Sequence, residues 1–289
     1  MSDTLDRRVQ QLSRAARMLA TIAASVKLRS STTVDPAIRE QIELGARIAL
    51  DDVAGALDSE DLSAVVTAAE MAFAEGGELL RNADRAPGWQ VEDPALLQAM
   101  GRASSNAFDR ILALAETRPS LRRTLEGRFL DVGTGVAGIA IRAAEACPAL
   151  QIDAIDLWAP ALDLAERNIA ASPHRSRIHL RNLDVTALAL DPRYSLAWLP
   201  TMFMARPVVE RALDRIVAAS LPDAWIIAPL YTLPTDPFMA AMSTLRTLRG
   251  GGDITDPGDI AAMLKARGCT DIEIDAEPLA TFVMGRVRA

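Results

Sequence analysis

The chain is short of the side chains that most often carry chemistry. Its 289 residues include two cysteines, two histidines and two tyrosines. Cys147 and Cys269 stand far apart, and neither has ligand spacing with the other or with His174 and His179. That argues against a zinc site, so no metal is expected, and it leaves two reduced, buried thiols. Aromatic residues make up 4% of the chain while half of all residues are hydrophobic, so the core must be mostly Ala, Leu, Ile, Val and Met. Apolar runs are short: none approaches the roughly 18 residues of a membrane span. Residues 18–26 are apolar, but Asp3 and Asp6 precede them and the amphipathic pattern continues on both sides, so a buried helix stripe is expected rather than a signal peptide. Lys27 and Lys265 are the only lysines, and the net charge is -7. An acidic balance argues against broad binding to nucleic acid or to an anionic membrane. Internal repeats and low-complexity segments are absent, and a cytoplasmic protein is the expectation.

What is present divides into two parts. Up to about Arg118 no convincing strand occurs. Leu5, Val9, Leu12, Ala16, Leu19 and Ala23 recur at helical spacing. Asp35-Pro36 and Asp93-Pro94 each offer an N-cap followed by a proline suited to the first helical position. A third helix between them is expected to end near Gly76-Gly77, and Pro87-Gly88 marks a loop holding Trp89. Residues 1–120 therefore read as an all-helical domain and 121–289 as a second domain.

The period changes at FLDVGTGVAGIAI, residues 129–141: an apolar strand with Asp131 inside it, glycines at 133, 135 and 138, then an Ala/Ile-rich helix. Glycines at such a turn let backbone N–H groups and a helix N-terminus approach a ligand. Strands are expected at 128–132, 151–155, 177–181, 196–199, 224–228 and 271–275, with helices between. A last strand, 279–287, follows the sixth too closely for a helical crossover, so it should pair antiparallel. The alternation implies an α/β, doubly wound sheet that binds ligands at the carboxyl ends of its strands. Asp131, Asp156 and Asp184 all fall at or near such ends.

These residues resemble the class I S-adenosylmethionine-dependent methyltransferases. Asp131, Gly133, Gly135 and Gly138 match the family's D-x-G-x-G-x-x-G turn, Asp156 the acid closing the second strand, and Asp184 in RNLDV the acid after the third. A GxGxxG turn also fits nicotinamide dinucleotide. The carboxylate two residues before the first glycine suits an ammonium rather than a pyrophosphate, and the antiparallel last strand agrees. The resemblance implies a seven-stranded, Rossmann-like methyltransferase sheet, preceded by an all-α domain, with S-adenosyl-L-methionine as cofactor. Asp131 would face its ammonium; Gly133 and Gly135 would let the backbone pass its carboxypropyl portion, with Gly138 completing the cofactor-binding turn; Asp156 would accept from both ribose hydroxyls; and Asp184 would accept from the adenine amino group. Leu157, Trp158, Val185 and Trp198 would wall the pocket.

The acceptor side is less defined. Many small-molecule members use a histidine near strands 4 or 5 to take the acceptor's proton, and this chain has none there. The stretch after strand 4 is also unlike the Asn-Pro-Pro-Tyr/Phe pattern of enzymes acting on nucleobase or amide nitrogen. Tyr231 and Asp236 are the best-placed catalytic candidates. Ser104, Ser105, Met202, Phe203 and Tyr231 are the substrate-facing ones. Methyl transfer to oxygen or nitrogen of a small organic molecule is the leading expectation, with no nucleic-acid or membrane partner. The alternatives are a non-methylating reaction on the same fold and a non-catalytic subunit. The N-terminal helices are candidates for a homodimer or partner-subunit contact.

Overall fold

The structure is a computed structural model that describes residues 3–31, 33–51, 59–191 and 193–288, with only the backbone described at 3 and 59–63. The chain divides into two compact units, Met1–Ala83 and Asp84–Ala289.

The first unit is helical. It holds α1 (Asp3–Leu28), α2 (Pro36–Leu50) and α3 (Ser59–Arg81). The Asp35 side chain accepts from the amides of Ala37 and Ile38, closing the open N-terminus of α2. Lys27 of α1 meets Glu70 of α3 at 2.6 Å. Helix α3 runs through Gly76 and Gly77 rather than ending there. The glycine pair costs helix propensity but leaves every backbone hydrogen bond available. Leu5, Val9 and Leu12 on α1 and Ile38, Leu44 and Ile48 on α2 remain exposed.

The second unit begins with α4 (Pro94–Glu116) and α5 (Pro119–Thr124), then alternates. Its strands are β1 (Arg128–Val132), β2 (Gln151–Asp156), β3 (Ile178–Asn182), β4 (Tyr194–Trp198), β5 (Ser220–Tyr231), β6 (Thr270–Ala276) and β7 (Ala280–Arg286). Between them lie α6 (Gly138–Ala146), α7 (Ala159–Ala171), α8 (Arg206–Ala218), α9 (Pro237–Arg249) and α10 (Pro257–Ala266). The strand order is β3-β2-β1-β4-β5-β7-β6. Strands β1 to β5 pair in parallel, and β7 runs antiparallel to both β5 and β6. The order reverses between β1 and β4, which makes the carboxyl ends of that pair the natural ligand crevice.

Both faces of the sheet are covered, which explains its nearly continuous apolar strands. Phe108 and Ile111 of α4 pack with Phe129, Ile152, Trp225 and Phe282 on one face. Leu213 and Ile216 of α8 and Leu264 of α10 pack with Leu130, Ile155 and Tyr194 on the other. Cys147 and Cys269 are buried and unpaired, and burial pushes both thiols up from their ordinary range.

The structure differs from the sequence expectation in two places that matter for the site. First, α4 and α5, expected in a helical domain ending near residue 120, lie in the compact unit that contains the sheet. Arg110 of α4 donates from Nε to Asp275 at 2.8 Å and from Nη1 to the Ala280 carbonyl at 2.6 Å, and it stacks 4.0 Å from the Phe282 ring centre. Small residues let α4 come close: a Cβ on Gly138 would stand 2.2 Å from the Gly101 carbonyl oxygen. Second, β5 continues through Pro229 to Tyr231. Its pairing with β4 ends at Ile227, so the missing proline N–H falls where no partner strand needs it, and the Thr201 hydroxyl takes the Pro229 carbonyl instead.

Candidate active site

At the carboxyl end of β1 the backbone turns through Gly133 at φ 64° and Gly135 at φ 58°, with Ala137 also left-handed at φ 68°. Nothing lies within 4 Å of where a Cβ on Gly135 would sit. Beneath this turn Asp131 is fully buried. Its Oδ2 accepts from the Thr134 hydroxyl at 2.6 Å, while Oδ1 is buried without any hydrogen-bond partner. Burial pushes its carboxyl up to about 7, the Thr134 hydrogen bond pulls the other way, the negative charge of Asp156 adds to the rise, and the nearby Ala140 backbone amide, too far or misaligned to count as a formed hydrogen bond, offsets part of it.

Asp156 ends β2 and ties the neighbouring loops together. Its Oδ2 accepts from the Gly135 amide at 2.8 Å. Its Oδ1 accepts from the amides of Leu157 and Trp158 at 2.7 and 2.9 Å. A carboxylate has about four acceptor directions, so room remains for one further donor, not for the two hydroxyls expected from sequence. Asp184 is half-buried and caps a short 3-10 helix, Val185–Ala187, by accepting from Thr186 at 2.8 Å. Val185 is buried and Leu157 is 60% exposed at the rim. Trp158, expected at the adenine wall, is half-buried and spends its indole N–H on the Val91 carbonyl at 2.5 Å. Trp198, expected at the cofactor, is buried in the core edge-on to Phe282, 5.1 Å between ring centres.

The ends of β4 and β5 carry the acceptor candidates. Met202 and Phe203 form a 3-10 turn after β4, and Phe203 stands edge-on to both Trp89 and Tyr231 at 5.1 and 5.8 Å. The Arg246 guanidinium lies 5.2 Å from the Tyr231 ring centre. A small cavity here is lined by Thr201, Met202, Tyr231, Ser243, Thr247 and Asp253. Asp236 is exposed and spent as the N-cap of α9, accepting from Met239 at 2.8 Å. Ser104 and Ser105 each donate to a carbonyl three residues back in α4. Their hydroxyls serve the helix rather than a pocket. His179 is exposed on edge strand β3, and His174 lies against Arg177 before it. Arg118 and Arg128 pair with Glu273 and Asp153. Among the described residues no three of His, Cys, Asp and Glu cluster as metal ligands.

Residues 129–223 match the family model described as a methyltransferase domain. The chain thus carries a methyltransferase domain on a methyltransferase fold. Over its full length the chain is similar to the solved human N-acetylserotonin methyltransferase in complex with S-adenosylmethionine, with a TM-score of 0.64, 13% identity, and coverage of 100% of this chain and 99% of that one. An O-methyltransferase family protein from Burkholderia thailandensis gives 0.67 and 12%, with the same coverage. At such identity the likeness speaks for the fold alone. Among curated proteins, a Vibrio vulnificus tRNA1(Val) (adenine(37)-N6)-methyltransferase is 37% identical over 66 residues, which is 23% of this chain and 28% of that protein. The chain thus spans under a third of the length of the curated relatives it matches.

The methyltransferase domain draws on residues that the sequence reading did not assign to the site. Trp89 was legible as an aromatic in a Pro-Gly loop, but its packing on Phe203 joins positions 114 apart in the chain. Thr134 sits inside the glycine motif, and its hydroxyl beside Asp131 was readable from the three-residue spacing. Gly101 gave no local signal, because its role is the close approach to Val136 and Gly138.

Proposed function

We propose that this chain transfers a methyl group from S-adenosylmethionine to an oxygen or nitrogen of a small organic molecule. One observation carries the reading. Asp131 keeps a buried carboxylate oxygen without a partner under a glycine turn whose open side has room for a ligand. A buried acceptor of this kind costs stability unless a donor fills it. An ammonium fits that donor role, and the residues present therefore suit the cofactor. Asp131 would hold its charged end, Gly133 and Gly135 would let the backbone approach, Asp156 would accept one hydroxyl, and Asp184 with Val185 would face its base. Once bound, the cofactor supplies a methyl group already activated by a sulfonium. The chain's own task is then to bring the acceptor in line and exclude water. No histidine stands at the ends of β4 or β5, so proximity carries the step, and Tyr231 is among the hydroxyls that line the cavity where an acceptor would be oriented. The exposed apolar side chains of α1 and α2 support a self-association role for the first unit.

Titration calorimetry with S-adenosylmethionine tests the cofactor assignment. Asp131→Asn is expected to weaken binding at least a hundredfold, and unchanged affinity would overturn it. A second reading, a nucleobase acceptor, draws on the short match to tRNA-modifying relatives. The net charge of -7 and the Leu199-Pro200-Thr201-Met202 sequence after β4 favour the small-molecule reading. Transfer of labelled methyl to bulk tRNA, with none to small-molecule extracts, would reverse that preference.

A further inference from the structure

The segment from Arg85 to Val91 is anchored at both ends to the C-terminal edge of the sheet. On the β4 side, the Arg249 carbonyl receives the Gly88 amide and the Arg85 guanidinium, each at 3.2 Å. Trp89 rests edge-on against Phe203. Gly251 comes so near that its Cβ would lie 3.1 Å from the Gly88 Cα. On the β2 side, the Val91 carbonyl accepts the indole N–H of Trp158. Strand β1 lies between β2 and β4, so the strands that lead into Trp158 and Phe203 stand two spacings apart, about 10 Å. The direct path between them crosses the end of β1, where Gly133 and Gly135 turn. Packing agrees with that path: Trp89, Val91 and Trp158 pack on a cluster of Leu97, Val136, Ala161 and Leu164, and Val136 is the residue after Gly135.

Trp158 holds both layers. Its backbone N–H donates to Asp156, the acid that also fixes Gly135, while its side chain holds Val91. We propose that residues 85–91 form a strap over the cofactor site, and that Trp158 is the positioning residue that latches it. The cofactor enters and leaves only when the indole–Val91 hydrogen bond and the Trp89–Phe203 contact release. The proposal rests on the cofactor reading above, and it adds the gate to that reading. A latch differs kinetically from a ligand contact. Weakening a contact raises the dissociation rate and the Kd together, whereas weakening a gate raises association and dissociation alike.

The test is label-free binding kinetics of S-adenosylhomocysteine on the immobilised full chain, with amide hydrogen exchange on the same protein without ligand. Trp158→Phe keeps the ring and removes the N–H. Both rate constants are expected to rise about threefold to tenfold with Kd changed less than twofold, and exchange over residues 85–91 and 133–136 is expected to quicken. Trp89→Leu, which loosens the other anchor, should do the same. A rise in dissociation alone with Kd following it, or unchanged exchange in both variants, would overturn the strap. If the wild-type chain binds no S-adenosylhomocysteine, the cofactor reading fails by itself. The exchange arm still decides whether Trp158 holds the segment down.

Discussion

Asp131 on β1 and Asp153 on β2 lie one register step apart in neighbouring strands, and both are almost wholly out of water. Both oxygens of Asp153 are paired. Its Oδ1 accepts from Arg128 at 2.7 Å, and its Oδ2 accepts from the Tyr194 hydroxyl at 2.8 Å with Arg181 at 3.5 Å. Asp131 has one hydroxyl partner and one empty oxygen. The chain therefore knows how to neutralise a buried acid and does so once. At the other position it withholds the cation, and the gap sits under the glycine turn. Incomplete satisfaction at one place in an otherwise consistent core is where function is expected.

The largest effect should come from breaking the paired acid. Asp153→Ala leaves the buried Tyr194 hydroxyl and the partly exposed Arg128 and Arg181 without their shared acceptor. Removing one member of such a network costs about 3 kcal/mol or more. Urea unfolding is expected to show that loss, while cofactor affinity of the folded fraction stays within about threefold. The Tyr194 phenol, which burial and the Asp153 hydrogen bond push up to about 12, should then titrate lower. Loss of cofactor affinity much beyond threefold would mean that the two acids are not separable in the way their partners imply.

Asp131→Asn should move stability the other way. In the unfolded chain this carboxyl titrates near 3.8, and in the folded protein near 7. Between those values the folded state keeps a proton that the unfolded chain has lost. Wild-type stability therefore falls as pH rises through that window and levels off above it. The asparagine variant lacks this penalty. It should be more stable than wild type at pH 8, by on the order of 2 kcal/mol, with the gain shrinking toward pH 4. Thermal melts at both pH values read it directly. An equal gain at both would show that the unfilled oxygen is not the cause. The same titration predicts that wild-type cofactor affinity weakens about tenfold per unit as pH drops below about 7, because an ammonium needs the ionised acid.

How much of this was readable in advance follows from how local each feature is. The glycine turn, Asp131 and Asp156 lie within a single strand–turn–helix–strand unit, so spacing alone placed them. The alternation of strands and helices gave the sheet, and the short gap before β7 gave its direction. It did not give the insertion of β7 between β5 and β6, which is a pairing choice made across the whole sheet. Trp198 was placed correctly along its strand but on the wrong face, since position on a strand does not say which side of an unlabelled sheet is core. Asp236-Pro237 repeats the capping pattern of Asp35-Pro36, Asp93-Pro94 and Asp256-Pro257, so its structural role was legible and was overridden by its nearness to β5. The packing of α4 on the sheet was hidden, because Arg110 finds Asp275 165 residues later.

The smallest stability effect offers the finest separation of fold from function. Gly135 has φ 58° and open space where a Cβ would project, whereas a Cβ on neighbouring Gly138 would collide with the Gly101 backbone. Gly135→Ala therefore costs only the left-handed backbone penalty, about 1 kcal/mol, with no clash to add. Gly138→Ala costs that separation of α4 from α6 and should be far worse in the same melt. If the space over Gly135 exists for a ligand, the alanine methyl will occupy it. Cofactor affinity should then fall tenfold or more, well beyond what a 1 kcal/mol loss of global stability produces in a protein that remains folded. Affinity unchanged beside a 1 kcal/mol stability loss would show the opening to be a property of the turn, and it would return Asp131 to being an unexplained buried acid.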